Sequence, residues 1–160
     1  MRRMLLAGAT LGAFAGAAQG QRLTATEVSA GTAAAVARHT FAGAELGLAY
    51  RPGGQSRVAL AVAAGTATGR AAARAQLTLQ FLVTPAARTG VGLYAGLGTA
   101  LTARRGSPGA GFVAVLVGLE GAPGRRRGSR NWYVELGLGG GVRAAAGWRV
   151  RWFPSWWTGR

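Results

Sequence analysis

Few side chains in this sequence could carry out chemistry. His39 is the only histidine, and the chain contains no aspartate, cysteine or lysine. A hydrolase or transferase needs a nucleophile with a base, and a zinc site needs several His, Cys or carboxylate ligands. His39 stands between Arg38 and Thr40, which is typical of a solvated loop residue. The sequence therefore predicts a protein that is not an enzyme and holds no metal or cofactor.

Glycine-rich runs are the other candidate for chemistry. They comprise Gly137 to Gly141 and the spaced Gly92, Gly96 and Gly98. A phosphate-binding loop would require a Walker pattern or a glycine turn that opens a helix after a strand, and neither run fits. Glycines at these positions are better explained as places where strands bend and pack closely.

The N-terminus has the pattern of a signal peptide. Arg2 and Arg3 precede an apolar segment from Leu5 to Ala18, and Ala18-Gln19-Gly20 resembles a cleavage site. We interpret residues 1–20 as a cleaved signal peptide, with a retained N-terminal helix or anchor as the alternative. The protein is then exported, and without cysteines its stability must come from burial or from the bilayer.

The charge is strongly positive. All 19 basic residues are arginines and the four acidic residues are glutamates, for a net charge of +15. Nucleic acid is one possible partner of such a chain, but export and the lack of any RNP-like or zinc-ligand motif argue against it. Anionic lipid phosphates are the expected counter-charge.

After residue 21 the chain is patterned as strands. No stretch of about 18 apolar residues free of charge is present, so spanning helices are not expected. Segments of about ten residues with alternating apolar and polar character recur between turn sequences rich in proline and glycine. We predict eight strands, at residues 23–33, 41–51, 57–68, 72–84, 89–103, 110–120, 131–143 and 147–153.

The alternation of residue types gives each strand an apolar face and a charged face. In the second strand Leu46 and Leu48 share one face, while Glu45 and Arg51 share the other. A soluble sheet would alternate too, but here the polar face is rich in Gly, Ala and Thr, as a narrow lumen requires. This parity predicts a lumenal charge network of Glu27, Glu45, Glu120, Glu135, Arg51, Arg57, Arg74, Arg104, Arg143, Arg149 and Arg151.

The outward-facing aromatic residues indicate which strand ends lie at the membrane–water interfaces. If the strands run up and down from a periplasmic N-terminus, four aromatic residues fall near periplasmic strand ends, and Trp148 falls at the opposite interface. The predicted aromatic girdle consists of Tyr50, Phe81, Trp132, Trp148 and Trp152. Trp156 and Trp157 would anchor at the same interface as the first group.

These features together resemble small bacterial outer-membrane β-barrel proteins of the eight-stranded OmpA/OmpX-like type. The signal peptide, the Thr84–Arg88 turn leading into residues 89–98, and the closing strand from Gly147 to Phe153 carry the resemblance. It implies an all-β, antiparallel up-and-down transmembrane barrel at residues 21–153, followed by an aromatic and basic tail at 154–160. It also implies a terminal aromatic residue, Trp152 or Phe153, that the barrel assembly machinery recognises.

Some barrels of this size modify lipid A, but the residues of those enzymes are missing. The deacylase type pairs His with a nearby Ser, and the palmitoyl-transferase type uses His, Asp and Ser, whereas His39 is followed by Thr40 and Phe41. We expect a monomeric structural or interacting barrel in the outer membrane. A lipid-modifying enzyme and a soluble, lipocalin-like ligand carrier remain the alternatives.

The arginines outside the lumen suggest partners. Arg70, Arg104 and Arg105 fall near predicted outer loops, where they would contact phosphates of outer-membrane lipids and lipopolysaccharide. Arg125, Arg126, Arg127 and Arg130 fall in a predicted periplasmic turn. A run of charges is usually solvated, so we assign no partner to this second group.

Overall fold

A computed structural model describes residues 24–154 of the chain, and they form one closed antiparallel barrel. The predicted signal peptide and Trp156–Trp157 lie outside these residues. Each strand pairs with its neighbours in sequence, and β1 pairs with β8 to close the sheet. The strands are β1 (Ala25–Val36), β2 (Phe41–Gly53), β3 (Ser56–Ala67), β4 (Arg70–Leu82), β5 (Val91–Arg104), β6 (Ser107–Gly121), β7 (Arg130–Leu138) and β8 (Val142–Trp152).

No helix long and apolar enough to cross a membrane is found between residues 24 and 154.

The prediction of an all-β, eight-stranded antiparallel barrel is confirmed. Three local predictions were wrong. The alanine-rich stretch beyond residue 33, where the first strand was predicted to end, continues β1 as far as Val36. It forms a strand because its partners on β2 and β8 supply the pairing that its own sequence pattern lacks.

The turn between β7 and β8 lies earlier than predicted. β7 ends at Leu138 and β8 begins at Val142, so Arg143 belongs to β8 rather than to the seventh strand. Gly140 and Gly141 adopt positive φ angles of 73° and 138°, which other residues rarely adopt, and this reverses the chain within three residues.

The turn between β5 and β6 is also tighter than predicted. The Ser107-Pro108-Gly109 segment, assigned to a turn from its composition, is the first part of β6, and the chain reverses at Arg105 and Gly106. Gly106 has a φ of 77°. Pro108 is tolerated because this part of β6 has no partner on the β7 side, where pairing begins only at Val115.

Strand stagger sets the width of the barrel. A path through cross-strand partners that starts at Glu120 returns to β6 at Ala110, a stagger of ten residues. Eight strands leave an interior just wide enough for side chains to fill. Because the path does not return to its starting residue, cross-strand partners along it lie at different heights along the barrel axis.

The two faces of the sheet have opposite character. Outward residues such as Leu46 and Val113 are 66% and 75% exposed, and the largest fully buried side chains include four arginines and two glutamates. A water-soluble protein has the reverse arrangement, with its apolar side chains inside.

The two ends of the barrel differ in their connections. At the end that we call the loop end, residues 37–40, 68–69, 105–106 and 139–141 join the strands. At the opposite, terminal end, where β1 begins and β8 ends, the connections are residues 54–55, 83–90 and 122–129. The segments that we predicted to be outer loops join the strands at the loop end.

Candidate functional site

The lumen near the terminal end is filled by two glutamates and four arginines, which we call the terminal-end cluster. Its members come from five strands and project inward because they occupy alternate positions: Glu27, Arg51, Arg57, Glu120, Arg149 and Arg151. All are buried. Such charges are stable in a confined space only when they are paired with hydrogen-bonding partners.

Glu120 is the centre of this cluster. It accepts hydrogen bonds from Arg57 Nη1 at 2.8 Å and from Arg151 Nη2 at 2.6 Å, as well as from Arg149 Nη1. Glu27 lies beside it and accepts from Arg57 Nη1 and Arg151 Nε, each at 3.0 Å. Arg51 Nε forms a further ion pair with Glu27 at 2.7 Å. Each arginine of the cluster therefore has a side-chain nitrogen within 4 Å of a carboxylate oxygen of Glu27 and within 4 Å of one of Glu120.

A second group, the middle cluster, lies closer to the loop end. Arg143 bridges two glutamates, donating from Nη2 to Glu45 at 2.6 Å and from Nη1 to Glu135 at 2.9 Å. The hydroxyl of Tyr94 donates to Glu135 at 2.7 Å, and Arg149 Nη2 lies 3.5 Å from the same carboxylate. Arg149 thus joins the two clusters into one network.

Two tyrosines complete the packing, and the sequence analysis did not single them out as site residues. The Arg57 guanidinium lies 4.4 Å from the ring centre of Tyr94, and that of Arg149 lies 4.8 Å from the ring centre of Tyr133. Such cation–π contacts are strongest where water is excluded. The ring of Tyr94 lies against Gly118 on β6, and a Cβ there would collide with it. The signal that the sequence offered for this contact is an inward-facing tyrosine whose cross-strand partner is a glycine.

These side chains leave little space in this part of the lumen. The cavity between them has a volume of about 20 Å³ and is lined by Glu27, Glu45, Gln76, Tyr133, Glu135 and Arg149, among others. That volume holds about one water molecule. The side chains of the network therefore occupy most of the space around this cavity.

The lumen at the loop end, by contrast, opens into a cavity of about 710 Å³, which we call the cup. Its wall is made mainly of small side chains and includes Phe41 and Phe112. Arg74 lies at its inner side and is 4% exposed. This arginine was predicted to join the charge network, but it is absent from the glutamate–arginine ion pairs of the described residues. It donates instead from Nη2 to the carbonyl oxygen of Gly139 at 2.5 Å.

Arg104 does not belong to the charge network either, and its inclusion was wrong. It is the last residue of β5, half-buried at the rim, and it donates from Nη2 to Ser107 Oγ at 2.8 Å. Its parity is inward, but the strand ends beyond the level of the glutamates. Parity alone does not give height along the barrel axis.

The predicted position of Trp148 was also wrong. Trp148 pairs directly with Trp132 across β7 and β8, so it does not mark the opposite interface. The reason is that β8 begins at Val142, five residues before the predicted start, which places Trp148 in the half of β8 nearer the terminal end. Arg130 stacks on it from outside the lumen, 4.9 Å from the ring centre.

The other outward aromatic residues lie towards the terminal end. Tyr50, Phe81 and Trp152 are close to the ends of β2, β4 and β8, and Trp132 is near the start of β7. All four face away from the lumen and are exposed in the isolated chain. Phe153 behaves differently, since it is buried with Ala25.

The remaining candidates lie at the rim of the loop end. Arg70 and Arg105 are exposed, and Arg70 lies beside the Gly106 turn. His39 is exposed, and its Nδ1 lies 3.4 Å from the hydroxyl of Thr68. No group of three potential metal ligands occurs among residues 24–154.

Comparison with known proteins supports the fold alone. No family model and no curated protein matches the sequence. The structure is similar to that of the outer membrane protein OprG from Pseudomonas aeruginosa, with a TM-score of 0.62 and 12% identity over 85% of this chain and 99% of that one. It is also similar to the N-terminal β-barrel domain of OprF from the same organism, with a TM-score of 0.53 and 15% identity over 82% and 97%.

This chain has the fold of the eight-stranded outer-membrane β-barrels. At these identities the likeness extends to the architecture and not to individual residues. The lumenal residues described above are therefore interpreted from their own geometry.

Proposed function

We propose that this protein is a non-enzymatic barrel of the bacterial outer membrane whose lumen is closed by its glutamate–arginine network. The observation that carries the proposal is the inverted distribution of polarity. Large apolar residues such as Leu97 and Leu101 are more than 60% exposed on the outside, while Arg57 and Glu120 are buried inside. In a bilayer this arrangement is favourable, because lipid covers the apolar face and the closed sheet satisfies the backbone.

The position of the ends gives the proposed orientation. The outward aromatic residues gather near the terminal end, where they suit a membrane–water interface. We assign that end to the periplasm and the loop end to the cell exterior. Trp152, which ends β8 and faces outward, is the proposed recognition residue for the barrel assembly machinery. We expect a monomer, because the barrel has no free sheet edge along most of its length.

Lipid phosphates are the proposed partners at the cell exterior. Arg70, Arg104 and Arg105 lie together at the tip of the β5–β6 hairpin and the adjoining start of β4. Guanidinium groups bind phosphate oxygens with charge-assisted hydrogen bonds. A cluster at this level would stabilise the packing of lipopolysaccharide around the barrel.

The two alternative functions find less support in the geometry. A lipocalin-like carrier needs an apolar interior, whereas the middle of this lumen is filled by charged side chains. A lipid-modifying enzyme needs a carboxylate to activate its histidine. His39 lines the cup, but no carboxylate lines this cavity among the described residues, and the described hydrogen-bonding partner of His39 is Thr68.

Membrane fractionation tests the location. Cells expressing the full chain are separated into soluble, inner-membrane and outer-membrane fractions, and unheated and boiled samples are compared on a gel. The proposal predicts recovery in the outer membrane and a band that shifts on boiling. Recovery in the soluble fraction without a shift would refute it.

A matched pair of triple variants tests the lipid contacts. In one, Arg70, Arg104 and Arg105 are replaced by glutamine, and in the other Arg125, Arg126 and Arg127 at the opposite end are replaced. The first variant should lose most of the lipopolysaccharide that co-purifies with the wild type, and the second should retain it. Equal retention by both would show that the loop-end arginines do not bind lipid phosphate.

A further inference from the structure

The cup at the loop end has the size and wall of a ligand site. Its volume of about 710 Å³ falls within the range of small-molecule pockets. Alanines, including those at 35, 67, 72 and 110, and the rings of Phe41 and Phe112 form the apolar part of the wall, and the polar part includes His39, Thr102 and Ser107. A ligand in the cup would therefore contact mainly apolar surface.

Arg74 supplies the one buried charge of the cup. Its side chain is 4% exposed, and of its polar atoms Nη2 is used by the Gly139 carbonyl. Its Nε is buried and has no hydrogen-bond partner among the described residues. Leaving a buried donor of a charged group unpaired is costly. Arg51, Arg57 and Arg143 each have one such donor too, but each of them is paired with a glutamate. Arg74 is the buried arginine without a glutamate partner among the described residues, and it therefore points to a missing anionic partner.

The surrounding charges favour an anion as well. Arg38 and Arg104 lie at the rim of the cup, and no acidic side chain lines it among residues 24–154. The paired network deeper in the lumen holds four glutamates and five arginines, with Arg74 outside it as a sixth buried arginine. The field at the open end is therefore positive and attracts anions.

We propose that the cup binds a small organic monoanion, with its carboxylate on Arg74 and its apolar body against the alanine and phenylalanine wall. This inference goes beyond the proposed structural role, and it needs no open pore. A single negative charge matches the single buried guanidinium, because the other two arginines remain solvated at the rim. A guanidinium pairs with a carboxylate through a planar fork of N–H donors.

Fluorine NMR provides the test. The full chain is reconstituted in nanodiscs of phosphatidylcholine, which carry no net anionic lipid, and 4-fluorobenzoate is titrated. Line broadening is measured relative to empty nanodiscs. The neutral 4-fluorobenzyl alcohol has the same ring and serves as the matched ligand without charge.

We expect the wild type to bind the benzoate saturably and the alcohol at least about tenfold more weakly, since a hydrogen bond to a charged group is lost. Arg74→Gln should weaken benzoate binding by about the same factor. Arg126→Gln, at the exposed β6–β7 turn of the opposite end, should leave it unchanged. No saturable binding by the wild type, equal binding of the alcohol, or equal binding by Arg74→Gln would overturn the proposal.

A second variant keeps the test decisive if Arg74→Gln does not fold. Ala110→Trp fills the cup from an exposed position of its wall and leaves Arg74 in place. It should abolish benzoate binding while the heat-dependent gel shift persists. A folded Ala110→Trp protein that binds benzoate as the wild type does would also overturn the proposal.

Discussion

The buried arginines have different partners in the two halves of the lumen. In the half towards the terminal end, Glu120 and Glu27 are shared among Arg51, Arg57 and Arg151 with contacts of 3.5 Å or less. In the half towards the loop end, Arg74 has a single described partner, the carbonyl of Gly139. The first half is filled by side chains, and the second encloses the cup.

This difference indicates which charges hold the barrel together. A buried ion pair need not stabilise a fold relative to apolar residues, but removing one partner leaves the other charge buried and unpaired. The closed half therefore depends on every one of its members. In the open half, Arg74 lies at the inner side of the cup without a glutamate partner among the described residues.

Removing the charge of Glu120 should have the largest effect. In Glu120→Gln, the three arginines that donate to this carboxylate each lose one of their carboxylate partners while they remain buried, so the remaining glutamates no longer balance the buried positive charge. We expect the free energy of unfolding to fall by about 3–5 kcal/mol or more. It is measured by urea titration in detergent micelles, with the unheated gel band as the readout. Arg126→Gln, in an exposed turn, is the control and should change little; a similar loss in both would remove the distinction.

Arg143→Gln tests the middle cluster. Arg143 bridges Glu45 and Glu135, and its loss leaves two buried carboxylates with fewer donors. Since Tyr94 and Arg149 still contact Glu135, we expect a smaller loss of about 3 kcal/mol in the same titration. Lysine at this position cannot reproduce the bridge with two nitrogens, so Arg143→Lys should recover only part of the stability. Full recovery would show that a point charge is sufficient.

Gly118→Val tests the packing of Tyr94. The added side chain collides with the ring, which must move away from Glu135 and Arg57. Overpacking of this kind costs about 1–3 kcal/mol. Gly128→Ala, at a turn position with open space around it but a φ of 74°, provides a comparison without steric collision. A Gly118→Val barrel as stable as the wild type would show that Tyr94 has room to move.

Arg74→Gln should have the smallest effect on stability. Glutamine keeps an amide donor, and no ion pair is broken. We expect a change of about 1 kcal/mol or less. A loss as large as that of Glu120→Gln would contradict the division of the lumen into a paired half and an open half.

Alternation of residue type was sufficient to predict the architecture and most of the charged lumen. The lumenal face contains all four glutamates that parity assigned to it: Glu27, Glu45, Glu120 and Glu135. A slip of one residue in strand register would bring these charges to the lipid side, so the register is strongly specified. Strand ends were less predictable. The β7–β8 turn depends on Gly140 and Gly141, but the sequence around them contains glycines at several neighbouring positions.

The difference between the two halves was not predictable from parity. Arg74, Arg104 and Arg143 have the same inward parity, yet only Arg143 reaches glutamates. Their partners depend on height along the barrel, which follows from the stagger of all eight strands. Sequence spacing within one strand does not contain that information.

Thiol accessibility distinguishes a closed terminal half of the lumen from an open loop-end half. The chain has no cysteine, so single variants are unambiguous. Thr102→Cys places a thiol in the cup, and Ala49→Cys places one beside the small closed cavity. Both are reconstituted in nanodiscs and treated with an anionic methanethiosulfonate reagent. We expect rapid modification of Thr102→Cys, and modification of Ala49→Cys only after unfolding in urea. Equal rates in the folded barrels would show that the lumen is open throughout and that the charged network does not close it.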